Sequence, residues 1–295
     1  MIKRILCFLL VFQAVSCAAA TVDTIEVYSA RMHRNIICVV IRPESYTKKL
    51  KTNWQTRTVI SDRAFPVLYL LHGYSGSYAN WVNKVPAIKE EADARNIIIV
   101  CPDGDYSSWY LDSPIDSSMQ FESFITDELV QYIDKHYHTI RSRSFRAITG
   151  LSMGGYGSLM ITFRHPDIFG ACGSMSGAVN LSTIHDKFDL IKRLGDSATH
   201  TPDWNKYLLM NIIEHYSKKD SIVITMDCGV DDYFIKDNRE LHNRMLQLHI
   251  AHDYTERPGN HNWDYWENSI HYQLLFFSRF FRDDQFIVPW HKTVN

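Results

Sequence analysis

Residues 145–155 read Phe145-Arg146-Ala147-Ile148-Thr149-Gly150-Leu151-Ser152-Met153-Gly154-Gly155: a short strand-like run, glycines around one serine, then a helical pattern reaching His165. A sharp strand-to-helix turn needs glycines beside its central residue, because side chains there would collide with neighbouring backbone. Such a turn lifts the central hydroxyl above the sheet and sets it beside the free N–H groups of the helix start. G-x-S-x-G on its own is a weak signal; between a strand and a helix it marks Ser152 as a candidate nucleophile. The nearby Gly173-Ser174-Met175-Ser176-Gly177 has Met175 at its centre and no clear helix after it. It reads as a turn at a strand end, bordering a pocket at most.

Outward from this turn, strands and helices alternate. Thr24 to Tyr28 and Asn35 to Ile41 read as an opening antiparallel pair. Phe65 to Leu71, ending at His72-Gly73, and Ile97 to Cys101 are continuous apolar runs of the kind found in strands buried on both faces. Phe121 to His136 carries Phe121, Phe124, Ile125, Leu129 and Ile133 at helical spacing. Further strands are expected around Gly170–Met175, Ser221–Asp227 and Tyr254–Arg257, with helices over Asn238–His252 and Trp263–Phe281. Residues from about 180 to 216 are polar and lack strand runs, which predicts a helical, cap-like insertion. The alternation predicts an α/β, doubly wound, mostly parallel sheet with helices on both faces. Ligands then belong at the carboxyl ends of its strands.

Composition narrows the function. Lys+Arg 31 against Asp+Glu 33 gives a net charge of -2, which offers no pull toward nucleic acid. Lys3-Arg4, the apolar run Ile5–Phe12 and the small residues after it read as a signal peptide over 1–20, leaving 21–295 as a single domain. No stretch reaches the roughly 20 apolar residues a spanning helix needs. Val15-Ser16-Cys17 also resembles a lipobox, which would anchor an exported chain through Cys17. Cys38, Cys101, Cys172 and Cys228 lie in or beside apolar runs without metal-ligand spacing, and read as buried thiols.

A serine needs a histidine to take its proton and a carboxylate to orient that histidine. After such a turn the chain order is serine, acid, histidine. Met226-Asp227-Cys228-Gly229-Val230-Asp231-Asp232 is the next strand end after the insertion. Asp227 sits within the strand run, whereas Asp231 and Asp232 lie in the loop beyond; spacing does not choose between these two. His242, His249 and His252 read as surface or packing residues of an amphipathic helix, His271 as part of the last helix and His291 as tail. His261, in the Pro258-Gly259-Asn260-His261 loop, is placed to reach the nucleophile.

Gly150–Gly155, Cys228-Gly229-Val230-Asp231-Asp232-Tyr233-Phe234 and Arg257-Pro258-Gly259-Asn260-His261-Asn262-Trp263-Asp264-Tyr265-Trp266 together resemble the putative-esterase family of α/β-hydrolases. Leu70-Leu71-His72-Gly73-Tyr74 and Ser108-Trp109-Tyr110-Leu111-Asp112-Ser113-Pro114 fit the same group. The family includes esterase D (S-formylglutathione hydrolase), bacterial feruloyl and acetyl esterases of the tributyrin-esterase type, and the mycolyltransferases. The resemblance implies Ser152 as nucleophile, Asp232 as triad acid with Asp231 beside it, His261 as base, and the N–H groups of Tyr74 and Met153 as oxyanion hole. It implies no metal or organic cofactor.

The leader argues against a cytosolic glutathione-thioester hydrolase, and Asp232 stands where mycolyltransferases carry Glu. The resemblance therefore implies an exported serine carboxylesterase acting on feruloyl or acetyl (short-chain) esters, with plant polysaccharides as the expected substrate class. A mycolyltransferase-type acyltransferase and an S-formylglutathione hydrolase-like thioesterase are the alternatives, and a non-catalytic carbohydrate-binding module is the rival outside catalysis. Trp109 and Tyr110 are candidate substrate contacts. Like Trp204 and Tyr207 in the insertion, they either cover an aromatic acyl group or belong to the core.

Overall fold

The computed structural model describes residues 20–51, 56–60, 62–217 and 221–282. The leader, with Cys17, and the tail carrying His291 lie outside the described residues.

Thr21–Ser29 (β1) and Arg34–Arg42 (β2) pair antiparallel in unbroken register, from Thr21↔Arg42 to Ser29↔Arg34. Thr47–Lys51 (β3) and Thr56–Ile60 (β4) form a separate two-stranded sheet. The sequence reading assigned no strands here, because TKKLK and TRTVI have neither an apolar run nor clean alternation. Val67–Leu71 (β5), Ile98–Pro102 (β6), Arg146–Gly150 (β7), Ala171–Met175 (β8), Val223–Gly229 (β9) and Asp253–Arg257 (β10) complete the main sheet. Its order is β1-β2-β6-β5-β7-β8-β9-β10. β2 runs antiparallel to β6, and every pairing from β6 through β5 to β10 is parallel. This is the α/β-hydrolase fold.

Strand alternation divides the apolar residues between two cores. Val67, Tyr69 and Leu71 of β5 face one side, where they join Phe124, Leu129, Leu159 and Met160. Leu68 and Leu70 face the other, with Trp81, Ile88, Ile270, Leu274 and Phe277. The helix Met153–Arg164 therefore covers one face and Trp263–Arg282 the other. Strands β5, β6, β7 and β8 are buried along their whole length, which is why β5 and β6 read as continuous apolar runs.

Two helices differ from expectation. The helix over Phe121–His136 is interrupted by a π-helical stretch at Phe124–Leu129, where the Thr126 hydroxyl donates to the Glu122 carbonyl. The helix expected over Asn238–His252 spans Ile235–Gln247, because His249 turns left-handed at φ 53°. His249 and His252 thus lie beyond it. Between β8 and β9 the chain forms short helical segments at Leu181–Ile184, Leu190–Leu194, Thr201–Tyr207 and Leu209–Glu214. Among the described residues no helix is long and apolar enough to cross a membrane.

The strand order reverses at β5: the chain moves outward to β6, then returns to lay β7 on the other side. That reversal opens a crevice at the carboxyl ends of β5 and β7, where the fold binds ligands.

Candidate active site

Ser152 sits immediately beyond β7, at φ 54° and ψ -115°. A non-glycine residue seldom holds that geometry unless its surroundings fix it. Here the Ser152 N–H donates to the Met175 carbonyl at 3.0 Å, and its carbonyl accepts from Tyr156 and Ala178 at 3.0 and 3.1 Å. The adjoining β8 turn, Gly173–Gly177, thus pins the backbone that presents the hydroxyl. Gly154 admits close approach of the β5 end: a Cβ there would lie 2.5 Å from the His72 carbonyl oxygen and 2.8 Å from Leu71 Cβ.

Asp232 and His261 come from the ends of neighbouring strands. β9 and β10 pair with Gly229 opposite Arg257, and their outgoing loops are stitched together. Val230 N–H donates to the Arg257 carbonyl at 2.9 Å and Asp231 N–H to the Gly259 carbonyl at 3.0 Å. The turn Asp232 N–H→Gly229 carbonyl, at 3.1 Å, then carries Asp232 inward and leaves Asp231 exposed. The Asp232 side chain is wholly inaccessible to solvent. Its Oδ1 accepts from the Phe234 N–H at 2.8 Å, and Oδ2 lies 2.8 Å from His261 Nδ1.

An ionised carboxylate only accepts, so Nδ1 carries the proton and Nε2 presents its lone pair. Nε2 lies 2.9 Å from Ser152 Oγ. The structure thus brings Ser152, His261 and Asp232 into one unbroken hydrogen-bonded line. Trp266 and Phe234 stand edge-on to the imidazole, with centroids 4.9 and 5.3 Å away, and Tyr233 tilts over it at 4.3 Å.

The N–H groups of Tyr74 and Met153 donate to no backbone carbonyl among the described residues, whereas the flanking Ser75 and Gly154 amides do. Tyr74 follows the end of β5, held in register beside β7 with Leu71 opposite Gly150. The residue before the loop, His72, is buried: its Nδ1–H donates to the Gly73 carbonyl and its Nε2 accepts from the Gly104 N–H, both at 2.7 Å. Burial holds its pKa below the ordinary histidine value, so the ring is neutral.

A cleft of about 250 Å³ opens over Ser152, with Trp109, Phe188, Tyr233, Trp263 and Trp266 among its walls. Of the two expected substrate contacts, Trp109 lines it and Tyr110 does not: the Tyr110 phenol is buried against the His72 main chain. Trp204 and Tyr207 are core, donating to the Gly195 and Asp112 carbonyls. Phe188 was not singled out in the sequence. It reaches the site from the segment between β8 and β9 on two successive left-handed residues, Phe188 at φ 53° and Asp189 at φ 59°, and its carbonyl accepts from Trp109 Nε1–H at 2.9 Å.

Asp227 stays out of the cleft. It is buried and accepts from Tyr265, Ser269 and Gln273. Among the described residues no group of three or more His, Cys, Asp or Glu side chains is arranged to hold a metal ion. Cys38, Cys101, Cys172 and Cys228 are buried free thiols. Burial pushes all four up in pKa, Cys172 to about 12.

Comparison with known proteins places this arrangement. An acetyl esterase of Caldicellulosiruptor saccharolyticus is 27% identical over 258 residues, 83% of this chain and 94% of that protein. An esterase of Mycobacterium tuberculosis is 26% identical over 226 residues, 68% of this chain, which spans 49% of that longer protein. The structure of a ferulic acid esterase superposes with a TM-score of 0.72 at 25% identity, covering 89% of this chain and 99% of that one. The family model described as "Putative esterase" matches residues 29–277. With that match over most of its length, the chain belongs to the Putative esterase family and is a carboxylesterase.

Proposed function

We propose that this protein is an exported serine ester hydrolase in which Ser152 is the nucleophile, His261 the general base and then acid, and Asp232 the residue that orients and stabilises the imidazolium. The observation that carries this reading is the line of two short hydrogen bonds, Ser152 Oγ to His261 Nε2 at 2.9 Å and His261 Nδ1 to Asp232 Oδ2 at 2.8 Å. Ser152 Oγ attacks the ester carbonyl carbon as His261 Nε2 takes its proton. The carbonyl oxygen becomes an oxyanion, held by the N–H groups of Tyr74 and Met153. Collapse breaks the bond to the alcohol oxygen, which leaves with the proton from Nε2. Water then enters, gives its proton to Nε2 and attacks the acyl-enzyme; collapse releases the acid and returns the proton to Ser152 Oγ.

The helical segment of residues 180–216 serves as a cap that brings Phe188 beside Trp109, an apolar wall suited to an acyl group. Feruloyl or acetyl esters of plant polysaccharides are the proposed substrates, in keeping with the acetyl esterase and ferulic acid esterase relatives. Export rests on the leader-like residues 1–20. The test is hydrolysis of p-nitrophenyl acetate and methyl ferulate by wild type and Ser152→Ala, with labelling by a fluorophosphonate probe. Turnover and labelling lost together in the variant support the reading; equal rates in both proteins remove Ser152 from the mechanism.

A further inference from the structure

His261 must hand its proton to the departing alcohol oxygen, so the alcohol lies on the His261 side of Ser152. The carbonyl oxygen points the other way, toward the Tyr74 and Met153 amides. Ring contacts distinguish the two sides. The Tyr74 ring packs edge-on to Phe188 at 5.3 Å, which puts Phe188 and Trp109 on the oxyanion side. Tyr233, Phe234 and Trp266 surround the imidazole.

Of those three rings only Tyr233 offers a face to solvent: it is 62% exposed, against 4% for Phe234 and 7% for Trp266. It is also held in place, edge-on to Phe234 at 4.5 Å and tilted 40° to the His261 ring. A fixed, exposed aromatic face at the leaving-group position is a binding surface whose side-chain ordering is largely complete before the ligand arrives. Asn260 and Asn262, the exposed residues that flank His261 in the chain, carry amides. A sugar ring suits such surroundings, since its C–H face is attracted to the negative face of an aromatic ring and its hydroxyls can pair with polar groups.

We infer that Tyr233 is the platform on which the sugar of the ester's alcohol moiety stacks, making it a determinant of leaving-group specificity. This rests on the hydrolase reading above.

The experiment compares esters that share an acyl group: methyl ferulate with feruloyl arabinofuranose, and ethyl acetate with an acetylated methyl xyloside. For each pair the ratio of kcat/KM, sugar ester over alkyl ester, is measured in wild type, Tyr233→Leu and Tyr233→Trp. The ratio is expected to fall about three- to tenfold in Tyr233→Leu, through KM of the sugar ester, and to recover in Tyr233→Trp. A ratio unchanged in Tyr233→Leu overturns the inference, even if both rates drop, because the ring would then act only by steadying His261. Wild type that turns over no ester and takes no fluorophosphonate label instead removes the hydrolase reading, and this inference with it.

Discussion

The Tyr110 phenol closes both main-chain hydrogen bonds of His72: the His72 N–H donates to Oη at 3.0 Å, and Oη–H donates to the His72 carbonyl at 3.1 Å. His72 stands two residues before Tyr74, so a ring from the loop after β6 fixes the strand end that aims the Tyr74 amide. Tyr110→Phe leaves two buried backbone groups without that partner. The expected cost is about 1–3 kcal/mol of stability, read from denaturant unfolding. A fall in kcat with little change in KM should accompany it, because displacing the proposed oxyanion donor would weaken transition-state binding only. Stability and kcat both matching wild type would mean that the loop is held without the phenol.

Asp232→Asn keeps the shape of the acid but turns an acceptor into a group that can also donate. The imidazole then has reason to present the wrong tautomer to Ser152. The expected result is a drop in kcat of about 10⁴-fold, with fluorophosphonate labelling slowed in parallel and the melting temperature little altered. A loss of less than about tenfold would assign the orienting role elsewhere.

The acid-side stability should carry the signature of His72. Its ring is neutral when folded, with Nε2 occupied by the Gly104 N–H, and its pKa is held below the ordinary 6.5 by burial. Between those two values the unfolded chain binds a proton that the folded chain does not. The contribution is therefore complete above about pH 6.5 and is lost as pH falls toward the folded value, at no more than about 1.4 kcal/mol per pH unit. His242, lowered by partial burial and by His252 beside it, adds a slope of the same sign. Urea unfolding between pH 5 and 8 should show a shallower slope in His72→Asn than in wild type; identical slopes would exclude His72 as a source.

How far the sequence could carry the site depends on the range of the forces that build it. Ser152 was legible because its turn is made locally, by glycines between a buried strand and a helix. The parallel sheet was legible because β5 and β6 are buried on both faces and so read as apolar runs, with strands and helices alternating after them. Asp231 and Asp232 are adjacent, and what separates them is a pair of cross-strand hydrogen bonds to Arg257 and Gly259, which no local pattern encodes. Tyr110 looked as fit for a pocket as Trp109; one lines the cleft and the other is spent on a backbone clamp. Phe188 had no signal at all. It enters the cleft through two left-handed residues without glycine, a conformation held by tertiary contacts such as Trp109 Nε1–H to its carbonyl and Tyr74 Oη–H to Asp189 Oδ2 at 3.3 Å.

Those contacts make Phe188 the clearest probe of the acyl side. Its ring lines the cleft and packs against Tyr74, whose own amide is the proposed oxyanion donor. Truncation to Ala removes an apolar wall without touching Ser152, His261 or Asp232. A feruloyl group, which needs that wall, should lose about three- to tenfold in kcat/KM relative to an acetyl group, which is too small to span the cleft. Alkyl esters of ferulate and acetate with the same alcohol give the comparison directly. If the two acyl groups lose rate equally, Phe188 supports the loop that carries the Tyr74 amide and not the acyl group, and the aromatic acyl pocket must be sought on the Trp263 and Trp266 side of the cleft.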